Sequence, residues 1–511
     1  VSEKLPSKKY IKEFFKKIGE EYISKKDLQK LKTEFAKKYH LKKLPLTSDI
    51  LQSLNIKSPQ SALVTKPART LSGVTVIAVM SKPYKCPGKC IFCPNYKNTP
   101  KSYTGFEPAA MRGKRNDFDP YLQIKSRLSQ LAAIGHPTNK IELIIMGGTF
   151  PATPINYQKK FMIKAYQAIT NSKSENLEIL KKKAMHSRKR VVGVTFETRP
   201  DYCDKKIIQQ LLSYGGTRVE IGVQTTCDKI LKYIQRGHTT NDVICATEAL
   251  KDSGFKVLYH MMLNLPKSNY KRDMKSFQDI FDNQLYCPDM LKIYPCVVTK
   301  HTKLEKQLYS GDYNNYTLDE TINLIADIKE IIPPWVRIMR IQRDIPADKI
   351  ISGVKKSNLR ELVQRELKKR NKKCNCIRCN EPTDKKIDFD KYKICVNEYL
   401  ASNGTEWFIT AKSEDYLLGF IRLRFPYKPF IKELTKKTAI VRELHIYGLA
   451  TEFHQKNIQH RGLGKKLLET AEDIAKNKNF ERIAVISGIG VREYYQKQGY
   501  KLIGNYVIKK L

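Results

Sequence analysis

The stretch Tyr84–Asn95, "YKCPGKCIFCPN", follows closely on the apolar run Val74–Met80, "VTVIAVM". Three cysteines, Cys86, Cys90 and Cys93, fall within eight residues at the spacing C-x3-C-x2-C. A structural zinc ion usually takes four protein ligands, and an iron–sulfur cluster used for simple electron transfer takes four cysteines. Three thiolates on a loop that opens from a strand leave one iron of such a cluster without a protein ligand. That open position can receive a substrate, so the loop reads as a reaction site rather than a structural clip.

Outward from this loop the texture alternates. "KIELIIMGG" (140–148), "VVGVTFET" (191–198), "RVEIGVQT" (218–225), "KVLYHMML" (256–263) and "MLKIYP" (290–295) are short runs rich in β-branched residues. Helical stretches such as "DPYLQIKSRLSQLAAIG" (119–135) and "KKIIQQLLSYGG" (205–216) separate them. Alternation of this kind predicts an α/β fold in which parallel strands and helices close into a full or partial barrel. Barrel sites collect polar groups where strands end, which singles out Gly147 and Gly148 in "MGGT", Glu197 in "FETRPD" and Gln224 in "IGVQT".

After residue 387 the texture becomes mixed strands with two late helices. "IQHRGLGKKLL" (458–468) has the form Q-x-x-G-x-G at a loop opening into a helix. There Gln459, Gly462 and Gly464 would bare backbone N–H groups at a positive helix end, a cradle for a pyrophosphate. The preceding run "TAIVRELHIYGLA" (438–450) suits a strand whose backbone receives a pantetheine arm. "VREYYQKQGYKLIG" (491–504) places Tyr494 and Tyr495 on a helix before a turn.

The chain of 511 residues is 41% hydrophobic, enough for real cores, and its net charge is +43. Such an excess of lysine and arginine points to a polyanionic partner, most simply nucleic acid. Residues 1–70 carry 17 Lys/Arg against 7 Asp/Glu, with apolar and aromatic residues at helical spacing. They read as two or three basic amphipathic helices that bind RNA. No apolar run approaches the roughly 20 residues of a membrane span, and the chain start lacks the apolar core of a secretory signal. Tight cysteine clusters in an enzyme-like chain imply a reducing compartment, so a cytoplasmic protein with no membrane contact is expected.

The three-cysteine loop after a barrel strand resembles the radical S-adenosylmethionine (SAM) enzymes. The later segment resembles the GNAT acetyltransferases, with acetyl-CoA as ligand. Together, "SYTGFEPAAMR", "ETRPDYC", "RGHTT", "PPWVRIMRIQRDIP", "SGVKKSNLRE", "QHRGLG" and "AVISGIGVREYYQKQGY" closely resemble the family of the catalytic third subunit of Elongator, which modifies tRNA uridine 34. The resemblance implies a 4Fe–4S cluster on Cys86, Cys90 and Cys93. It also implies SAM cleaved to a 5′-deoxyadenosyl radical, hydrogen taken from the acetyl methyl group of acetyl-CoA, and 5-carboxymethyluridine as product.

The same resemblance assigns Lys140 to acetyl-CoA, with a catalytic part for Lys140, Tyr494 and Tyr495. It assigns SAM contacts to Gly147, Gly148, Glu197 and Gln224. Acetyl-CoA contacts fall to Glu443, Leu444, His445 and Ile446, to Gln459, Gly462, Leu463, Gly464 and Lys465, and to Tyr495. Cys374, Cys376 and Cys379 match a zinc-binding linker for which the sequence offers no fourth ligand. The implied domains are a tRNA-binding segment 1–70, a radical SAM domain 71–360, the zinc linker 361–390 and a GNAT domain 391–511. The implied partners are the tRNA anticodon stem-loop and Elongator-like subunits. The first cysteine pair is one residue closer than the expected archaeal pattern, and "CPNY" replaces the usual "CPGG". Two rival readings are a protein lysine acetyltransferase and a non-catalytic tRNA-binding scaffold.

Overall fold

The computed structural model describes residues 25–41, 44, 47, 64, 70, 72–382, 391–447 and 462–511. Most of the basic amino-terminal segment therefore lies outside the described residues. Its described helix, Lys25–Lys38, buries Leu28, Lys32 and Phe35, one face at helical spacing, and leaves most of its other lysines outward.

Seven parallel strands form the first sheet in the order in which they occur. They are β1 (Thr75–Met80), β2 (Lys140–Met146), β3 (Arg190–Thr198), β4 (Arg218–Gln224), β5 (Lys256–Leu263), β6 (Met290–Pro295) and β8 (Arg337–Ile341). β1 and β8 are its open edges, so the barrel is partial. The seventh strand, "RIMRI", is shorter and more polar than the six runs legible in the sequence. It is a strand because β6 supplies its backbone partners. Between β6 and β8 lies the short β7 (Val298–Thr299), which pairs with β9 (Ile350–Ser352). Helices cover the outer face. Their starts are capped by Asp119, Asn176, Asp204, Thr239 and Asn269, whose side chains accept first-turn N–H groups.

The second sheet is mixed, in the order β10 (Lys393–Ala401), β11 (Gly404–Ser413), β12 (Tyr416–Phe425), β13 (Thr438–Ile446), β14 (Arg482–Val485), β16 (Tyr506–Lys510) and β15 (Lys501–Ile503). β13 and β14 run parallel, but their pairing stops at Val441–Val485. The remaining half of β13, Arg442–Ile446, has no described strand on that side. The long helix Leu463–Asn477 packs its apolar stripe on this sheet.

The two sheets are joined through buried charge. Lys251, Arg422, Arg424 and Arg442 meet Asp252, Asp289, Glu406 and Glu443. Arg442 is the extra residue of a β-bulge in β13, since Arg422 pairs with Glu443 and Leu423 with Val441. The bulge turns its guanidinium across the boundary. There it donates to Asp289 at 2.5 and 2.7 Å, to the Phe255 carbonyl at 2.8 Å and to Glu406 at 2.9 Å.

A second contact is steric. A Cβ on Gly488 would sit 2.1 Å from the Val192 carbonyl oxygen, and one on Gly490 would sit 2.7 Å from the Val191 nitrogen. The "SGIG" loop therefore lies against the backbone of β3 with room for glycine alone. Gly488→Ala is expected to cost about 1–3 kcal/mol through overpacking, read as a lower thermal or urea midpoint.

Candidate active site

The cysteine loop leaves the carboxyl end of β1, where a parallel barrel places its reacting groups. It is held by its own apolar residues. Ile91 exchanges backbone hydrogen bonds with Ile234 and Leu304, and Phe92 packs on the same cluster. The Sγ atoms of Cys86, Cys90 and Cys93 are not drawn within 4.8 Å of one another, as those of Cys374, Cys376 and Cys379 are. Two sulfurs on one tetrahedral zinc at about 2.3 Å bonds lie under about 4 Å apart. The first trio is thus more open than one tetrahedral ion holds, while the second has the closeness that a single ion needs.

Polar donors already face the first trio. The Ser102 amide donates to Cys93 at 3.3 Å, and an Arg236 Nη donates to Cys90 at 3.5 Å. Arg343 donates to the Ser102 carbonyl and lies over the Tyr103 ring. Burial raises the Cys93 thiol above its usual range, with Cys90 adding to the shift.

Around this loop the sequence-singled residues assemble. Gly147 and Gly148 have φ of +138° and +88°, and a Cβ on Gly147 would strike the Ser81 hydroxyl at 2.0 Å. Glycine is needed here for both backbone angle and approach. Gln224 ends β4 at φ +74°, a left-handed angle for a residue with a side chain. Glu197, next to last in β3, accepts from the Tyr103 hydroxyl at 2.6 Å.

The barrel interior holds groups that the sequence reading passed over. Glu220 contacts Lys292 and accepts from His260 at 2.9 Å; Lys292 also reaches Glu197 at 3.7 Å. Arg218 bridges Glu220 to Glu142. Burial would raise the Glu220 carboxyl, yet Lys292, His260 and Arg218 hold it well below the usual range. A signal for them exists. Arg218, Glu220, Gly222 and Gln224 alternate along β4, and His260 and Lys292 share that inward face on β5 and β6, a period of two on otherwise apolar strands.

Lys140 opens β2, at the opposite end from the cysteine loop and roughly 20 Å along the strand at 3.3 Å per residue. Burial and then Arg190 lower its ammonium. The second sheet docks at this end. On β13, Glu443 and His445 lie on one face, while Leu444 and Ile446 pack into the sheet's core. Burial opposes ionisation of Glu443, but Arg422 and Lys256 hold its carboxyl below the usual range. Ion pairs thus run from Glu142 through Arg218, Glu220 and Lys292 to Glu197, spanning the lumen between the two ends.

At the start of the helix Leu463–Asn477, Gly462 caps the first turn at φ +82°. A Cβ on Gly464 would lie 3.0 Å from the Tyr494 hydroxyl, so that ring stands over the helix start. Lys465 points to solvent beside Glu469. Tyr495, by contrast, is buried in the core against Tyr494 and Tyr500, away from the surface expected of a ligand contact. Successive residues on a helix are turned by about 100°, which here puts Tyr494 toward the helix start and Tyr495 toward the core. Gln459 lies outside the described residues. Cys374 and Cys376 are buried, and Lys329 donates to Cys379 at 3.4 Å. Hydrogen bonds from Cys374 and Cys376 pull the Cys379 thiol well below its usual range. Among the described residues no fourth Cys, His, Asp or Glu joins this trio. No described helix is long and apolar enough to cross a membrane.

Four family models match the chain. They are the ELP3 N-terminal domain (7–71), the radical SAM superfamily (80–280), the radical SAM C-terminal domain (288–369) and the acetyltransferase (GNAT) family (374–500). A tRNA uridine(34) acetyltransferase of Methanocaldococcus jannaschii is 48% identical, covering 96% of this chain and 95% of that one. Elongator complex protein 3 of Schizosaccharomyces pombe is 40% identical, covering 95% and 94%. The solved structure of Methanocaldococcus infernus Elp3 with residues 1–46 deleted is 44% identical and covers 86% of this chain and 99% of that one, at a TM-score of 0.78. With a parallel partial barrel carrying the cysteine loop and a mixed sheet carrying the acetyltransferase helix, the chain belongs to the Elongator complex protein 3 family, a radical SAM domain joined to a GNAT domain.

Proposed function

We propose that this chain modifies the wobble uridine 34 of tRNA to 5-carboxymethyluridine, with acetyl-CoA as the carbon donor. The observation that carries this reading is the placement of the open cysteine trio and the acetyltransferase strand at the two ends of one charged barrel lumen.

Cys86, Cys90 and Cys93 would hold a 4Fe–4S cluster. When bound, such a cluster would supply the electron for reductive cleavage of SAM, the radical chemistry that the protein itself cannot provide. The backbone of Gly147 and Gly148, with Glu197 and Gln224, would meet SAM at the mouth of the barrel. The half of β13 with no described strand on its β14 side, Glu443–Ile446, offers backbone groups to a pantetheine arm. The N–H groups of Leu463, Gly464 and Lys465 lie in the first turn of their helix, where backbone donors find no partner within the helix and suit a pyrophosphate. Tyr494 stands over that turn, with Tyr495 packed behind it, and both would serve the acetyl-CoA end. Lys140 lies at the acetyl-CoA end, and burial keeps its ammonium easier to deprotonate than a free lysine.

Cys374, Cys376 and Cys379 would hold one zinc ion in the linker between the two domains. The basic segment 1–70 would bind the anticodon stem-loop, in a cytoplasmic protein with Elongator-like partners.

The test is anaerobic. Full-length protein is reconstituted with iron and sulfide, then given SAM, acetyl-CoA, dithionite and tRNA, and nucleosides are read by mass spectrometry. Carboxymethylated uridine that disappears without acetyl-CoA is the expected result. An intact cluster that yields neither 5′-deoxyadenosine nor modified uridine would remove the proposal.

A further inference from the structure

The cysteine loop is wrapped around two buried arginines. Arg199, at the end of β3, is 3% exposed and grips Asp201 through Nε and Nη2 at 2.9 and 2.8 Å. Its other Nη donates to the Arg236 carbonyl at 2.7 Å. Arg236 is 8% exposed, with one Nη on the Gly222 carbonyl at 2.8 Å and the other on the Cys90 sulfur at 3.5 Å. Three glycines clear the space for these groups. A Cβ on Gly88, between Cys86 and Cys90, would sit 2.2 Å from Arg199. One on Gly237 would sit 3.1 Å from Arg199, and one on Gly222 would sit 2.4 Å from Arg236.

The charge balance is uneven. Arg199 has its carboxylate, whereas among the described residues Arg236 has none, and its Nε has no acceptor. A buried guanidinium left without a counter-ion is strongly unfavourable. Here the group within reach is the Cys90 sulfur, which would be anionic as a ligand of the proposed cluster. The field of the pair extends to His238, whose imidazole burial, then Arg236 and Arg199, hold neutral, with its pKa down to about 3.

We infer that Arg236, held in place by Arg199, is a positioning residue that raises the reduction potential of the cluster on Cys86, Cys90 and Cys93. The inference rests on those cysteines holding a 4Fe–4S cluster. One-electron reduction by a donor such as dithionite adds one negative charge to the cluster. A guanidinium hydrogen-bonded to a ligating sulfur favours that reduced form, because hydrogen bonds to the sulfurs and local net charge set such potentials.

The experiment uses the reconstituted full chain without SAM, titrated electrochemically and read by electron paramagnetic resonance of the reduced cluster. Iron and sulfide content are measured in parallel. Arg236→Gln is expected to make reduction at least tenfold less favourable, about 59 mV more negative for a one-electron couple, with iron content retained. Arg236→Lys, which keeps the charge, is expected to lose less than half of that shift. In the wild-type chain grown with 15N-arginine, pulsed spectra of the reduced cluster should show a weak coupling to arginine nitrogen. Its absence would overturn the contact even where Arg236→Gln fails to fold. An Arg236→Gln midpoint equal to wild type, or wild-type spectra without arginine nitrogen, overturns the inference and leaves the cluster assignment standing. A wild-type chain that takes up no iron overturns both.

Discussion

Cys90→Ser is expected to abolish uridine modification and SAM cleavage while leaving tRNA affinity within about twofold of wild type. The reason is a separation of labour between two kinds of interaction. The cysteine trio offers three thiolates and no spare, so losing one strips a metal-facing ligand that nothing on the loop replaces. The neighbouring side chains cannot substitute, since Arg236 and the Ser102 amide are donors aimed at the sulfurs. Affinity for a polyanion, in contrast, is spread over many lysines and falls only slightly when an uncharged side chain changes. Nucleoside mass spectrometry and filter binding on the same preparation read the two effects. Affinity that fell together with activity would show that the cysteine loop is also part of the tRNA surface.

The second large effect concerns stability. Arg442→Met is expected to destabilise the chain by about 3–5 kcal/mol, the range seen when one partner of a buried ion pair is removed. Arg442 is fully buried and holds Asp289, below β6, and Glu406, on β11, together. Without the guanidinium both carboxylates stay in the boundary between the sheets, with Lys251 at 3.6 Å from each, Arg422 at 3.6 Å from Asp289 and Arg424 at 3.1 Å from Glu406 as the remaining cations. Burial raises the Asp289 carboxyl, and Arg442 and Lys251 more than reverse that rise, so the group contributes stability above the ordinary carboxylate range. Urea unfolding followed by circular dichroism and by tyrosine fluorescence reads the loss. The variant is also expected to separate the melting of the two sheets, because Arg442 is the residue that β13 turns toward the barrel. Unfolding unchanged in midpoint and cooperativity would refute this account of the boundary.

The barrel was legible because parallel strands buried on both faces leave unmistakable apolar runs. β4 is buried at all seven positions, and "RVEIGVQ" announces itself as a strand. The acetyltransferase segment was legible for a similar local reason, since Q-x-x-G-x-G states its own backbone requirement, and Gly462 indeed sits at a left-handed angle. β8 was missed as a strand because its identity is borrowed from β6. Tyr494 and Tyr495 could not be told apart as neighbours in a sequence, because the direction in which a five-residue helix faces depends on the sheet it docks against.

The fold class of each half was legible in the sequence: ligand spacing, glycine placement and strand periodicity are local, and local constraints leave local traces. The tertiary structure alone decided how the halves meet. The lumen charges Glu142, Glu197, Arg218, Glu220 and Lys292 come from four strands. The boundary joins residues more than 150 positions apart, as Asp289 and Arg442 show. The pairing of Arg236 with Cys90 crosses 146 positions. Each of these depends on which charges burial forces together, and burial is a property of the folded chain rather than of any segment within it.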